Sequence, residues 1–279
     1  MLKAVSTHVL LEHRLHPGML DQLAHVGVEA VEIFAARNHF DYTSHAHIEE
    51  LAGWFRSNPV QLFSMHGPLF TDMELGRSGA PQINLLHPEK SRRIDSMDEI
   101  KRVLEVAELL PFKKLILHLG ESKDEWNPRA LEYSITALEH LQAFARPLGV
   151  GLLVENLVNE PAQPQNLLET LRSGHFTDIG VCLDTGHAHL GDGVPAAISA
   201  LGERIESVHI HDNGGNRDEH LWPGEGTIDW PSVMPELKNC PKNPVAVLEI
   251  HYTQQKNADE SKAGVIATKL AETFTRLGL

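Results

Sequence analysis

The sequence predicts an α/β fold of one kind, a single (β/α)8 TIM barrel with residues 1–279 in one domain. Eight short apolar runs alternate with eight longer amphipathic stretches, each run preceding one stretch. The 279-residue length is ordinary for such a barrel, for which ~250 is typical. No linker or low-complexity block divides the chain. No Gly-x-Gly-x-x-Gly follows the first run, which sets aside an open doubly wound sheet.

In order, the expected units are strand 3–10 with helix 17–26, 28–34 with 45–57, 60–66 with 91–110, and 113–119 with 128–146. There follow 150–155 with 164–172, 178–183 with 194–202, 205–211 with 230–238, and 244–250 with 259–277. Residues 60–65 and 114–118 are too short for helices and too apolar for solvent, so they read as buried parallel strands. In 91–110, Ile94, Met97, Ile100, Val103, Leu104, Ala107 and Leu110 recur at three- and four-residue steps and gather one apolar face. Pro111 stops that helix.

Composition narrows the function. Acidic residues outnumber basic ones 38 to 24, a net charge of −14, and no basic stripe is present that could neutralise a run of phosphates. Nucleic acid is therefore an unlikely partner and a small-molecule substrate the expected one. Only Cys182 and Cys240 occur, and the N-terminus lacks a signal-peptide pattern, so a cytoplasmic location is expected. No apolar run approaches the ~20 residues that cross a bilayer. A homo-oligomer is left open.

Histidine is abundant, at 18 copies, and barrels carry their chemistry at the C-terminal strand ends. Those ends read Ser64-Met65-His66, Leu117-His118, Val154-Glu155-Asn156, Asp184-Thr185-Gly186-His187, His209-Ile210-His211-Asp212-Asn213 and Leu248-Glu249-Ile250-His251, with Asp218-Glu219-His220 in the loop after the seventh strand. Burying such groups is costly unless they are paired or bind metal. His66, His118, Glu155, Asp184, His187, His209, Asp218, His220 and Glu249 thus point to a metal cluster. Imidazole with carboxylate and no thiolate suits Zn, Mn or Fe(II).

Val154-Glu155-Asn156, Cys182-Leu183-Asp184-Thr185-Gly186-His187, His209-Ile210-His211-Asp212-Asn213 and Leu248-Glu249-Ile250 together resemble the xylose isomerase-like TIM barrels, a superfamily of sugar isomerases, epimerases and endonuclease IV-type AP endonucleases. The resemblance spans nearly the whole chain. It implies that Glu155, Asp184, His209 and Glu249 hold one divalent metal, Zn or Mn, and that Glu155 and Glu249 serve as acid and base. By the endonuclease IV pattern, His66, His118, His187, Asp218 and His220 complete a set for up to three ions per chain.

Two mechanisms follow. In one, an isomerase or epimerase moves a proton between Glu155 and Glu249 on a small sugar or related polyhydroxy carbonyl compound. In the other, a multinuclear metallohydrolase cleaves a phosphoester, with Glu155 bridging ions. The acidic surface favours the first; the length of the ligand list favours the second. A silent binding barrel ranks last.

Arg217, Phe34, Phe70 and Trp222 are candidates for substrate contact, with Lys123 and Trp126 behind them. His211 and His251 share strand parity with His209 and Glu249 and read as supporting donors or satisfied core histidines, while Glu32 is placed to orient a ligand histidine. Cys182 reads as core, the glycine pairs as turns, and His39, His45 and His47 as a solvated loop. The stretch 67–90 is either a lid or a contact between copies.

Overall fold

The computed structural model describes residues 1–71, 81–251 and 262–279. Strands β1 (Lys3–Ser6), β2 (Ala30–Phe34), β3 (Gln61–His66), β4 (Lys114–Leu117), β5 (Gly151–Glu155), β6 (Gly180–Asp184), β7 (Ile205–Ile210) and β8 (Val245–Leu248) form a closed parallel barrel in sequence order. β1 and β8 make the closure, pairing Ala4 with Val247 and Val5 with Leu248. Nine helices lie among the described residues: α1 (Pro17–His25), α2 (His45–Ser57), α3 (Lys90–Glu105), α4 (Pro128–Ala145), α5 (Pro164–Ser173), α6 (Thr185–Leu190), α7 (Val194–Leu201), α8 (Trp230–Lys238) and α9 (Lys262–Leu277). Proline opens α1, α4 and α5, where a missing N–H costs nothing, and the Asn127 side chain accepts from Arg129 N and Ala130 N to cap α4.

The single (β/α)8 expectation holds, and the differences are local. The first strand ends at Ser6, because its hydroxyl accepts from His8 N and turns Thr7–Leu10 into a 3-10 helix. The 91–110 helix becomes α3 followed by a 3-10 turn at Val106–Glu108, and Ile94 lies 41% exposed instead of on the apolar face. Helix α6 was not expected; Asp184 starts it by accepting from His187 N at 2.7 Å. No helix among the described residues is long and apolar enough to cross a membrane. The two stems of the 67–90 stretch are joined by a Phe70–Gln82 bridge, while 72–80, where a lid or contact would lie, falls outside the described residues. So does the expected start of the last helix at 259.

Strand parity stacks the barrel interior in layers. Ala4, Ala30, Phe63, Val245 and Val247 fill one end, and Ile116, Leu153 and Cys182 form the next cluster. Two residues further along these strands stand Glu32, His118, Glu155, Asp184 and Glu249, so the polar layer rests on an apolar floor. Register shifts at Val31/Glu32 and Val181/Cys182 fall just before two of those acids. A slip there re-aims the side chains that follow. Burial pushes the Cys182 thiol up to about 12, as expected of a core cysteine.

The reading of 39–47 as a solvated loop is corrected: His39 and His47 are buried. His47 Nε2 lies 2.7 Å from Leu15 O, and His39 Nδ1 donates to His13 O at 2.5 Å. Only His45 is exposed. Burial, assisted by His47 and against the His13 bond, lowers His39 from 6.5 to about 4. Between those values the unfolded chain binds the extra proton, so stability rises with pH. His39 should contribute a slope of about 1.4 kcal/mol per pH unit within that window, complete above 6.5 and lost as pH falls through 4. Urea unfolding from pH 4 to 7 should show a shallower slope for His39→Gln; parallel curves would refute the assignment.

Candidate metal centre

All nine expected ligands lie at one end of the barrel. His66 closes β3, with its ring stacked on Phe34 at 4.4 Å and its Nδ1 2.8 Å from Gly67 O. Its Nε2 lies 3.4 Å from Glu155 Oε2, and His118 Nε2 approaches the same oxygen at 3.1 Å. The other oxygen, Oε1, stands 3.4 Å from His209 Nδ1 and 3.5 Å from His187 Nδ1. Glu249 Oε2 reaches His209 Nδ1 from just past β8 at 3.0 Å. Asp184 is pinned by Asn156, which exchanges two hydrogen bonds with its backbone, and by His211 Nε2 at 2.9 and 3.0 Å from its carboxylate oxygens. The outer group is His187, Asp218 and His220: Asp218 Oδ2 lies 3.2 Å from His187 Nε2 and 3.0 Å from His220 Nε2.

The far nitrogen of each ring decides what these contacts mean. A carbonyl only accepts, so His187 Nδ1 carries its proton toward Asn156 O and His220 Nδ1 toward Glu249 O. Both Nε2 lone pairs then face the Asp218 carboxylate, an arrangement that calls for a cation, either a proton or a metal. His209 repeats the pattern. Its Nε2 faces Glu32 at 3.1 Å, which is itself held by Ser64 Oγ, while the buried Nδ1 makes no hydrogen bond although Glu155 and Glu249 are close. Rings fixed by a second partner with the free nitrogen aimed at carboxylates are the usual support of a metal ligand.

Four sets of donor atoms lie within 4.8 Å of one another: His66/Glu155/His209, Glu155/Asp184/His209/Glu249, His187/Asp218/His220 and His211/His220/Glu249. The residues present therefore fit a divalent cation. The local field agrees. Burial disfavours charge on His209 and His187, yet the surrounding groups, chiefly Cys182, Glu249, Glu32 and Glu155 for the first and Asp184, Asp218 and Glu155 for the second, raise both rings well above the ordinary value. His220 is likewise raised to about 9 against burial, by Asp218 and Glu249, whereas burial prevails at His118 and lowers it. Glu155 and Glu249 are held well below the ordinary range, burial being outweighed first by His209.

Of the four expected substrate contacts, Phe34 and Phe70 adjoin the site, and Arg217 and Trp222 are engaged elsewhere. Arg217 is paired with Glu219 at 2.8 Å, with its side chain 80% exposed. Trp222 is buried in the main core under Lys269, and Phe34 is buried behind His66 as packing. Phe70 alone lines the open cleft, of about 300 Å³, that leads to His118, His187 and Asp218. Lys123 is exposed and outside that lining, and Trp126 N donates to Glu160. His8 was missed. It sits two residues past β1 with its ring 5.0 Å from His220 and 5.1 Å from Phe34, and burial lowers it to about 3. Extending the first strand to residue 10 hid it; a scan of the first strand end would have found it.

Residues 20–269 match the family described as Xylose isomerase-like TIM barrel. The chain belongs to that family. Among similar proteins, inosose isomerase of Bacillus velezensis is 23% identical over 236 residues, 80% of this chain and 79% of that protein. A probable endonuclease 4 of Natronomonas pharaonis is 28% identical over 166 residues, 52% of this chain and 58% of that protein. The crystal structure of a D-tagatose 3-epimerase-like protein superposes with a TM-score of 0.77 at 24% identity, covering 100% of this chain and 98% of the other. These similar proteins differ in their named activities, so the site must choose between them.

Proposed function

We propose that this chain is a divalent-metal-dependent isomerase or epimerase acting on a small sugar or related polyhydroxy carbonyl compound. One observation carries the reading: the buried carboxylates Glu155 and Glu249, from strands three apart in the barrel, both approach His209 Nδ1, at 3.4 and 3.0 Å. Glu155, Asp184, His209 and Glu249 would hold the ion, Zn or Mn by donor chemistry. A divalent ion bound there would polarise the substrate's carbonyl and hydroxyl oxygens and ease removal of the intervening C–H proton. Glu155 and Glu249 act as the proton-transfer pair, one on each side of the reacting carbon, and Glu32 fixes the His209 ring between them. The cleft suits a small substrate without negative charge. Leu69, Phe70, Ile83, Leu157 and Val158 wall it, Gln82, Ser122 and Glu121 add polar groups, and no Lys or Arg is among its described lining residues. The relative named inosose isomerase and the epimerase-like structure support the same class.

A second reading, a phosphoester hydrolase, is favoured by the division of Glu155, whose Oε2 faces His66 Nε2 and His118 Nε2 while Oε1 faces His209 Nδ1. That is the disposition of a carboxylate shared between two cations. The relative named endonuclease 4 points the same way, and the acidic surface points against DNA. One experiment separates the readings: metal-loaded protein is incubated in D2O with a panel of ketoses and inososes and followed by proton NMR. Deuterium entering at carbon is expected. No exchange across the panel, with release of p-nitrophenolate from bis(p-nitrophenyl) phosphate, would replace the isomerase reading by the hydrolase.

A further inference from the structure

Two of the outer ligands, Asp218 and His220, stand on a loop that has little reason to be ordered. Residues 214–218 are all exposed, two of them glycine, and no apolar side chain anchors them. His220 itself has φ +45°, in the left-handed region that a non-glycine residue enters at a cost. His220 is tied to the segment after β8, its Nδ1 on Glu249 O at 3.0 Å and its carbonyl accepting from His251 N at 3.1 Å, and the remainder of the loop is held by Asp212, just past β7 and fully buried. Its Oδ1 accepts from Asn213 N at 2.9 Å and Ile228 N at 3.1 Å; its Oδ2 accepts from Gly224 N and Trp230 Nε1, both at 2.8 Å. Its backbone exchanges two further bonds of 2.8 Å with Leu221, the residue after His220. Gly226 leaves room for this knot, since a Cβ there would lie 2.3 Å from Asp212 Oδ1. The neighbouring Asn213 Nδ2 donates to Gly186 O at 3.0 Å, tying the same loop to the helix that carries His187.

We infer that Asp212 is the positioning residue of the outer trio His187, Asp218 and His220, setting that trio's affinity for a divalent cation without touching the cation. The inference rests on the reading that the trio holds a metal. An amide at 212 keeps the shape but leaves one oxygen where two accept, so two of the four donors lose their partner and the segment between Asn213 and Leu221 is released. Glu155, Asp184, His209 and Glu249 stand on other strand ends or earlier on β7, and of these Glu249 meets the loop only through its backbone carbonyl, which accepts from His220 Nδ1.

The test is a zinc titration against a competing chelator, resolved into binding steps, for the wild type, Asp212→Asn, Trp230→Phe and His220→Ala. Asp212→Asn should weaken one step by roughly 10–100-fold, the ordinary loss when a ligand's support is removed, and leave the tightest other step unchanged. His220→Ala should remove that same step. If Asp212→Asn fails to fold, Trp230→Phe, which deletes one of the four donors, should weaken the same step to a smaller degree. The inference is overturned if His220→Ala removes a step that both support variants leave intact, or if Asp212→Asn weakens all steps equally, the sign of a general structural role. If His220→Ala removes no step, the trio is not a metal site, and the premise fails separately from the role of Asp212.

Discussion

Glu249→Gln should lower turnover by about 10²–10⁴-fold, the span that general acid–base groups contribute, while the barrel stays folded. The amide fills the same volume at a position 3% exposed, so packing is preserved. It cannot take up the proton that the carboxylate exchanges with carbon. The same substitution removes one anionic donor next to His209, so the comparison must be made at metal concentrations that saturate the variant. Deuterium wash-in reads the proton step directly, and thermal unfolding beside it confirms an intact fold. If the variant exchanged at more than a tenth of the wild-type rate, Glu249 would not be the acid or base. Glu155→Gln should lose comparable activity and more metal, because Glu155 faces four rings and Glu249 faces His209 most closely.

The second large effect is thermodynamic. Glu32, Glu155, Asp184 and Glu249 are buried in one layer, with Asp218 beside them, and the histidines of the site offset that charge only when protonated. A divalent ion relieves this repulsion in the folded state alone. At a free metal concentration 1,000 times Kd, the folded state gains about 4 kcal/mol. For a chain of this size that corresponds to a rise in Tm of roughly 10 °C between chelated and loaded protein, at the usual 2–4 °C per kcal/mol. Differential scanning calorimetry with EDTA, then with zinc and manganese in turn, measures it. Identical Tm values in all three would show that the cluster is satisfied by protons and hydrogen bonds.

The barrel was legible because hydrophobic periodicity reports burial directly. The runs 60–66 and 150–155 match β3 and β5 at their ends, His66 and Glu155, and the run 178–183 stops one residue short of the end of β6 at Asp184. The convergence of nine donors was legible for a related reason, since parallel strands bring their C-terminal ends to one face whatever lies between them. Contacts set by distant segments were not. Trp222 follows a strand as a substrate aromatic would, yet helix α9 lays Lys269 over it and Arg276 bonds to the Pro223 carbonyl, closing it into the core. Arg217 looked free until the turn at Gly214 brought Glu219 beside it. Helix α6 is six residues long, too short for a periodic signal, and its first turn is set by Asp184, a residue read only as a ligand. The role of Gly186 carries no signal in the sequence, since it depends on a distant ring: a Cβ there would lie 2.0 Å from the His211 ring that braces Asp184.

The claim beneath all of this is that Glu155, Asp184, His209 and Glu249 share a divalent ion. Elemental analysis of dialysed protein, resupplied separately with zinc and manganese, tests it most directly when wild type and His209→Ala are compared. At least one tightly held ion per wild-type chain is expected, and one fewer in the variant. A wild-type chain that retains no metal, or a His209→Ala chain that retains all of it, would contradict the account.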